Sequence, residues 1–338
     1  MNLEPILAYS VFRYFVFATG AFILSMVLTP LLTDILYRYK IGKTIREGRT
    51  PIFSTLHESK AGTPTMAGVL IWGVVAIVTL LFNWTRSQTY LPLFVLVSVG
   101  LLGAVDDLYN IFKMGVQGGG MRARTKLIWQ LLIAALAAWW IFFKLEVVSI
   151  YVPFVGDFVI GYWYIPLIIF IIVATTNALN ITDGLDGLSG GLSITAFGAF
   201  SVLAILQNQI SLAIFCATIV GALLAYTWFN IKPARFFMGD TGSMALGATL
   251  AIVAVLTNNL LVLPIIGFVF YVEIASSFLQ IVYKKITGGR KIFRVAPIHH
   301  HFESLGWPET KVTMRFWLIG GVAAAVGIAL SLMGKISF

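Results

Sequence analysis

The sequence predicts an all-α, polytopic transmembrane protein with about ten helices, forming one integral membrane domain over residues 1–338. Of its 338 residues, 59% are hydrophobic and only 11% are charged, whereas soluble domains carry about 25% charged residues. Because backbone polar groups in lipid must bond within the protein, spanning segments are helices or closed barrels. Long continuous apolar runs, rather than alternating ones, favour helices.

Ten apolar segments approach the roughly 20 residues that one membrane crossing needs. They cover residues 14–37, 65–82, 90–106, 125–144, 163–177, 189–206, 211–229, 242–258, 260–283 and 314–333. No small-residue cleavage site follows the first, which we therefore interpret as a retained helix and not a signal peptide. The single cysteine, Cys216, lies inside an apolar run, which predicts a buried small side chain and no intrachain disulfide.

The basic residues predict the orientation of these segments. Most of the 23 lysines and arginines fall in alternate loops, and the other loops and termini hold only Arg13, Arg86, Lys144 and Lys335. Since basic loops stay in the cytoplasm, both termini are expected on the outer side. The net charge of +9 is explained by this asymmetry, so a nucleic-acid partner is not expected.

Acidic residues and histidines concentrate at the predicted cytoplasmic face. They are Asp106, Asp107, Asp183, Asp186, Asp240, His57, His299, His300 and His301. Mg²⁺ prefers carboxylate and phosphate oxygens and neutralises the charge of a transferring phosphoryl group. The pattern therefore indicates a magnesium ion and a phosphorylated substrate at this face.

Two aspartates end the third segment in GAVDDLYN. Adjacent helical residues point about 100° apart, so that one of Asp106 and Asp107 is expected to hold metal while the other faces substrate. The alternative is a solvated helix end. Because acids at a helix C-terminus oppose the helix dipole, we favour the functional interpretation.

The stretch TTNALNITDGLDGLSGG, residues 175–191, carries Asn177 and Asn180, then Asp183 and Asp186. A three-residue spacing places each pair on one face of a helical turn, and the glycines permit close ligand approach. A glycine-rich hairpin would explain the glycines but not four polar side chains.

Asp240 opens the eighth segment, within NIKPARFFMGDTGSMALG, residues 230–247. A helix N-terminus suits phosphate, but an Asp there is equally expected as an N-cap. Phe236 and Phe237 are expected either to stack on a flat ring or to be interfacial aromatics.

Three consecutive histidines lie in PIHHHFESLGW, residues 297–307. Zinc sites separate their ligands by two or more residues, so hydrogen bonding to phosphate or a nucleotide is the better interpretation. If the stretch is extended, His299 and His301 share a side and His300 faces away. Lys60 and Lys126 are expected to be either membrane anchors or ligands. Glu273 lies deep in the ninth segment and requires a partner.

Three motifs in this order, NALNITDGLDGLSGG, FMGDTGSMALG and PIHHHFESLGWPETKV, carry a resemblance over essentially the whole chain. The sequence resembles the bacterial phospho-N-acetylmuramoyl-pentapeptide transferases, in the polyprenyl-phosphate N-acetylhexosamine-phosphate transferase superfamily. The triple histidine followed by FE and GW points to the muramoyl-pentapeptide branch.

This resemblance implies a reaction, its partners and its location. UDP-N-acetylmuramoyl-pentapeptide would donate its phospho-sugar-peptide to undecaprenyl phosphate, giving lipid I and UMP with Mg²⁺ as cofactor, in the first membrane step of peptidoglycan synthesis. The protein would lie in the bacterial inner membrane with its active site cytoplasmic. The resemblance also allows a homodimer.

The resemblance also implies roles for particular residues. Asp106, Asp107 and Asp240 would be catalytic, with Asp240 as the magnesium ligand. Substrate would be bound by Lys60, Thr65, Lys126, Asn177, Asn180, Asp183, Asp186, Asn230, Phe237, His299, His300 and His301. Phe237 would stack on uracil near Asn230. The chain departs from the family at Asn110, where a lysine is usual, and a lysine role at this position does not carry over.

Three other functions compete with this interpretation. A sister enzyme transferring N-acetylglucosamine phosphate to the same lipid carrier would share the aspartate motifs, but the histidine block argues against it. An ion-coupled transporter would place ionisable residues near the midplane, where only Glu273 fits. A non-catalytic lipid-binding scaffold would not need five aspartates.

Overall fold

The computed structural model describes residues 3–39, 41–42, 62–114 and 120–334. Lys60 and His57 lie outside these ranges. The α-helices are α1 Leu3–Arg38, α2 Gly68–Phe82, α3 Tyr90–Ile111, α4 Ala123–Lys144, α5 Tyr164–Thr182, α6 Leu188–Leu206, α7 Ile210–Asn230, α8 Asp240–Leu256, α9 Leu263–Ile266, α10 Phe268–Ile286, α11 Ile298–Ser304 and α12 Glu309–Met333. Two strands, β1 Ser149–Val152 and β2 Gly156–Val159, lie between α4 and α5.

Helices occupy each of the ten predicted apolar segments. In the described part of the chain, seven are long and apolar enough to cross a membrane: α1, α3, α4, α5, α6, α7 and α12. Helices α2 and α8 are apolar but shorter, and α10 carries Lys284 and Lys285 in its last turn. The protein is therefore a mostly helical, multi-pass membrane protein.

The loop between α4 and α5 contains a hairpin that was not predicted from the sequence. Strands β1 and β2 pair antiparallel there, with Tyr151 opposite Asp157. Phe154 and Gly156 both have positive φ, at 67° and 112°, and they form the tight turn between the strands. The fold is thus helical with one small hairpin.

The core lies where α8 packs against its neighbours, and every residue from Thr241 to Val255 is buried. Cys216 on α7 is fully buried as predicted. Small residues let the helix backbones approach closely, as is usual between membrane helices. A Cβ atom added to Gly103 on α3 would lie 2.3 Å from the Asp240 carbonyl oxygen, and one on Gly247 would lie 2.6 Å from that of Thr175 on α5. These contacts bring the polar ends of α3, α5 and α8 together.

Candidate active site

A lysine joins two aspartates where α3, α4 and α8 meet. The Lys126 ammonium donates hydrogen bonds to Asp106 Oδ2 at 2.7 Å and to Asp240 Oδ2 at 2.5 Å. The Met121 amide binds the other Asp106 oxygen at 2.8 Å. The structure thus brings Asp106, Lys126 and Asp240 together from three separate parts of the sequence, and we call these residues the carboxylate cluster.

Asp107 lies beside this cluster but makes different contacts. Its two carboxylate oxygens accept the Asp240 amide at 3.2 Å and the Thr241 amide at 3.0 Å. These amides belong to the first turn of α8 and have no partner within their own helix. Asp107 therefore caps the N-terminus of α8 from the neighbouring helix α3. The Asp240 side chain does not serve as the N-cap and instead binds Lys126.

The two asparagines of α5 separate into two environments. Asn180 donates to Asp240 Oδ1 and to the Ser243 hydroxyl, both at 2.9 Å. Asn177 instead donates to the Gln130 side chain at 2.9 Å and to the Val173 carbonyl. Asn180 thus orients the cluster directly, whereas Asn177 ties α5 to α4.

The segment Asp183–Gly187 forms a turn after α5, so the prediction that Asp183 and Asp186 share one helical face was wrong. The Ser189 hydroxyl donates to Asp183. Asp186 Oδ2 accepts the Ala234 amide at 3.1 Å, and the Asp186 amide donates to Glu309 at 2.7 Å. The two carboxylates therefore bind different elements.

Asn230 fixes the same turn from the end of α7. Its side-chain oxygen accepts the Gly187 amide at 2.9 Å, and its amide group donates to the Phe236 carbonyl at 2.8 Å. Gly187 has φ of 76°, a conformation that glycine adopts without steric cost. Asn230 is only 2% exposed, and its two hydrogen bonds connect the Asp183–Gly187 turn to the segment that follows α7.

Phe236 and Phe237 have different surroundings. Phe236 is fully buried and packs on Tyr226 and Phe229, with ring centroids 5.9 and 5.8 Å apart. Phe237 is only partly buried, and its amide and carbonyl bind Pro64 and Ala67 at 2.8 and 3.0 Å. These two hydrogen bonds join the Phe237 backbone to the segment that precedes α2.

Thr65 lies in the segment paired with Phe237, and its hydroxyl lies near Gly239 and the Asp107 carboxylate. A Cβ atom added to Gly239 would lie 2.9 Å from the Thr65 hydroxyl and 2.5 Å from Asp107 Oδ2. The absence of a side chain at Gly239 thus allows Thr65 and Asp107 to converge beside Asp240.

The histidine block is helical, as α11, so the prediction for an extended stretch does not apply. His299 Nδ1 lies 2.8 Å from Glu273 Oε2, and both side chains are fully buried. His300 Nδ1 lies 2.7 Å from Glu303 Oε2. His301 is more exposed, and its Nδ1 accepts the Arg294 amide at 3.2 Å. Each histidine is therefore oriented by the protein itself.

The burial of His300 can be tested through the pH dependence of the protein's stability. Desolvation, helped by the neighbouring His299, lowers the pKa of His300 to about 4, below the 6.5 of an unfolded histidine. As the pH is lowered, His300 is therefore protonated in the unfolded chain at a higher pH than in the folded protein. The free energy of unfolding consequently decreases as pH falls from about 6.5 to 4. We expect the melting temperature of His300→Gln, measured in detergent, to fall less over this range than that of the wild type. Equal pH dependence in both proteins would contradict a neutral, buried His300.

Three glutamates at the site were not predicted to belong to it: Glu273, Glu303 and Glu309. Glu309 is 4% exposed, accepts the Asp186 amide and pairs with Lys232 at 2.8 Å. The need of Glu273 for a partner was visible in the sequence, and the i, i+3 spacing from His300 to Glu303 was a further signal. Nothing in the local sequence links Glu309 to Asp186, because the two are 123 positions apart.

The carboxylate cluster fits a magnesium ion. The Lys126 ammonium contacts one oxygen of Asp106 and one of Asp240, so the two carboxylates lie close enough to share one cation. Within the described residues, no group of three or more His, Cys, Asp or Glu side chains is placed to enclose a metal. Mg²⁺ commonly binds through one or two carboxylates plus water and substrate phosphates, so two carboxylates suffice.

Comparison with known proteins agrees with this site. The family described as glycosyl transferase family 4 matches residues 89–258, a range that contains the whole carboxylate cluster. Fold and site therefore define a polytopic membrane protein of that transferase class.

A phospho-N-acetylmuramoyl-pentapeptide-transferase of Chloroflexus aurantiacus is 42% identical, over 98% of this chain and 93% of the relative. Those of Geobacillus sp. and Bacillus mycoides are 41% and 40% identical, over 91% of this chain and 94% of each relative. The chain belongs to the phospho-N-acetylmuramoyl-pentapeptide-transferase family.

Proposed function

We propose that this protein transfers phospho-N-acetylmuramoyl-pentapeptide from its UDP donor to undecaprenyl phosphate, forming lipid I and UMP. The observation that carries the proposal is the Asp106–Lys126–Asp240 cluster in a chain of this family. Two carboxylates at the end of a membrane helix bundle can bind a divalent cation, and such a cation, together with Lys126, suits two anionic substrates, one of them anchored in lipid. The relatives' names support the muramoyl-pentapeptide donor over the N-acetylglucosamine donor of the sister enzymes.

Asp240, with Asp106 opposite it, would hold Mg²⁺. When bound, the ion supplies charge neutralisation for the diphosphate that is broken. Lys126, which bonds to both carboxylates, would add a second positive charge beside the ion. Asn180 holds Asp240 by its other oxygen, so the carboxylate is oriented before substrate arrives, which lowers the reorganisation that the reaction requires.

The proposal includes a location. Basic loops favour a cytoplasmic position for the ends of α3 and α5 and the start of α8, where a soluble nucleotide donor would meet an acceptor whose tail stays in the bilayer. Family membership supports the inner membrane of a bacterium. A homodimer is consistent with the family resemblance.

The direct test is radiolabel transfer from UDP-N-acetylmuramoyl-pentapeptide to undecaprenyl phosphate by the purified protein in detergent, with and without Mg²⁺. We expect a lipid-soluble product and UMP only when Mg²⁺ is present. Product formed from UDP-N-acetylglucosamine instead would assign the chain to the sister activity. Folded protein that makes neither product would contradict the proposal.

Phe237 is expected to bind the base of the donor. Stacking of a base on an aromatic ring contributes about 1–3 kcal/mol, so Phe237→Ala should raise KM for the donor by about 5- to 150-fold. KM for undecaprenyl phosphate should change little. Phe236→Leu is the matched control, because its buried ring should affect melting temperature rather than donor KM. A larger effect of Phe237→Ala on the acceptor than on the donor would contradict stacking on uracil.

A further inference from the structure

Helix α10 carries three polar side chains that bind the segment leading into the histidine block. Gln280 accepts the Ile292 and Phe293 amides at 3.0 and 3.1 Å and donates to the Phe293 carbonyl at 2.9 Å. The Ser276 hydroxyl accepts the Ile298 amide at 3.0 Å. Glu273 completes this row at His299. The three residues lie on one face of the helix, since their spacings are three and four.

Glu273 is the member of this row whose burial requires explanation. Both Glu273 and His299 have no exposed side-chain surface, and a buried carboxyl group is costly unless it is paired. Its contact with His299 Nδ1, at 2.8 Å, is within the usual hydrogen-bond range. The hydrogen bond at one ring nitrogen fixes the orientation of the imidazole and which nitrogen carries the proton.

The other edge of the His299 ring lies against the turn that follows α5. A Cβ atom added to Gly184 would lie only 2.3 Å from His299 Nε2. The imidazole therefore occupies the space that any side chain at position 184 would need. The ring contacts α10 through Nδ1 and the Asp183–Gly187 turn through its Nε2 edge, so it connects these two parts of the site.

We propose that Glu273 is a positioning residue of the active site, which holds the His299 imidazole against the Asp183–Gly187 turn and so fixes the turn relative to the histidine block. Its kinetic consequences rest on the proposed function, since the turn and the histidines are the parts expected to bind the donor. The hydrogen bond itself does not rest on that function.

Two substitutions at Glu273 distinguish the effect of its hydrogen bond from the effects of its charge and its side-chain volume. Glu273→Leu removes the hydrogen-bonding group and keeps an apolar side chain in the space. Glu273→Gln removes the charge and keeps a group that can bind Nδ1. Leu279→Ala on the same helix is the control, because Leu279 is 52% exposed and lies away from His299.

Imidazole ¹⁵N NMR provides a readout that requires no substrate, since the chain contains only four histidines. We expect Glu273→Leu to shift the His299 signals, and Glu273→Gln and Leu279→Ala to shift them much less. Unchanged His299 signals in Glu273→Leu would overturn the proposal. The wild-type spectrum alone also tests the proposal. A His299 Nδ1 signal typical of a nitrogen hydrogen-bonded to water would contradict the buried Glu273–His299 pair.

Transfer kinetics complete the test. Because small misplacements of site residues can cost as much as 100-fold in rate, we expect Glu273→Leu to lower kcat/KM for the donor by about tenfold, with KM for undecaprenyl phosphate nearly unchanged. Glu273→Gln should recover activity to within about threefold of the wild type. Shifted His299 signals with wild-type donor kinetics would overturn the positioning role while leaving the transfer activity in place. Absence of transfer by the wild type would contradict the proposed function, and the NMR result would still decide the hydrogen bond.

Discussion

Asp240→Asn is expected to abolish transfer, with a loss of about 1,000-fold or more in kcat at every Mg²⁺ concentration. Asparagine has nearly the same shape and still accepts a hydrogen bond from Asn180, so the first turn of α8 should persist. The substitution removes the negative charge that binds Lys126 at 2.5 Å and that is proposed to bind the metal. The loss should therefore appear in turnover rather than in folding.

The measurement is radiolabel transfer over a Mg²⁺ titration, together with a melting curve in detergent. Asp157→Asn is a matched control, because Asp157 lies in the hairpin and its carboxylate accepts a hydrogen bond from Asn258 at 3.1 Å, which an asparagine oxygen can also accept. We expect that control to keep full activity. Near-wild-type turnover of Asp240→Asn at low Mg²⁺ would exclude Asp240 as the metal ligand.

The helical part of the fold was predictable because membrane segments must be continuous and apolar. The segment expected at 211–229 is the helix Ile210–Asn230, and the one expected at 189–206 is Leu188–Leu206. The hairpin was not predictable, because strands of four residues such as Ser149–Val152 are too short to show a clear alternation. The helix Ile298–Ser304 is also short, at seven residues, and consists largely of histidines and other polar residues.

The convergence of Asp106, Asp107 and Asp240 on one end of the bundle was predictable from their positions at segment ends. Which atoms they bind was not, because those bonds depend on how closely the helices approach. Gly103 allows α3 to lie against the Asp240 carbonyl, and this contact selects Asp107 as the cap and Asp106 as the partner of Lys126. The catalytic and binding roles of these residues stay predictions.

The two adjacent aspartates should therefore respond differently to the same change. In Asp106→Asn, the carboxylate that binds Lys126 loses its charge, and we expect kcat to fall by about 100-fold or more. In Asp107→Asn, the side-chain oxygen can still accept one of the two α8 amides, whereas Asp107→Ala accepts neither. Removing an N-cap costs about 0.5–2 kcal/mol, so Asp107→Ala should lower the melting temperature more than Asp107→Asn does.

Activity and stability measured side by side distinguish the roles of the pair. If Asp107 acts mainly by holding the N-terminus of α8, the activity of Asp107→Asn should exceed that of Asp106→Asn by at least about tenfold, and Asp107→Ala should lose stability and activity together. Asp106→Asn should keep a near-wild-type melting temperature, since the Met121 amide still has an acceptor. An Asp107→Asn variant as inactive as Asp106→Asn, with unchanged stability, would instead give Asp107 a direct part in the reaction, because the cap alone cannot account for such a loss.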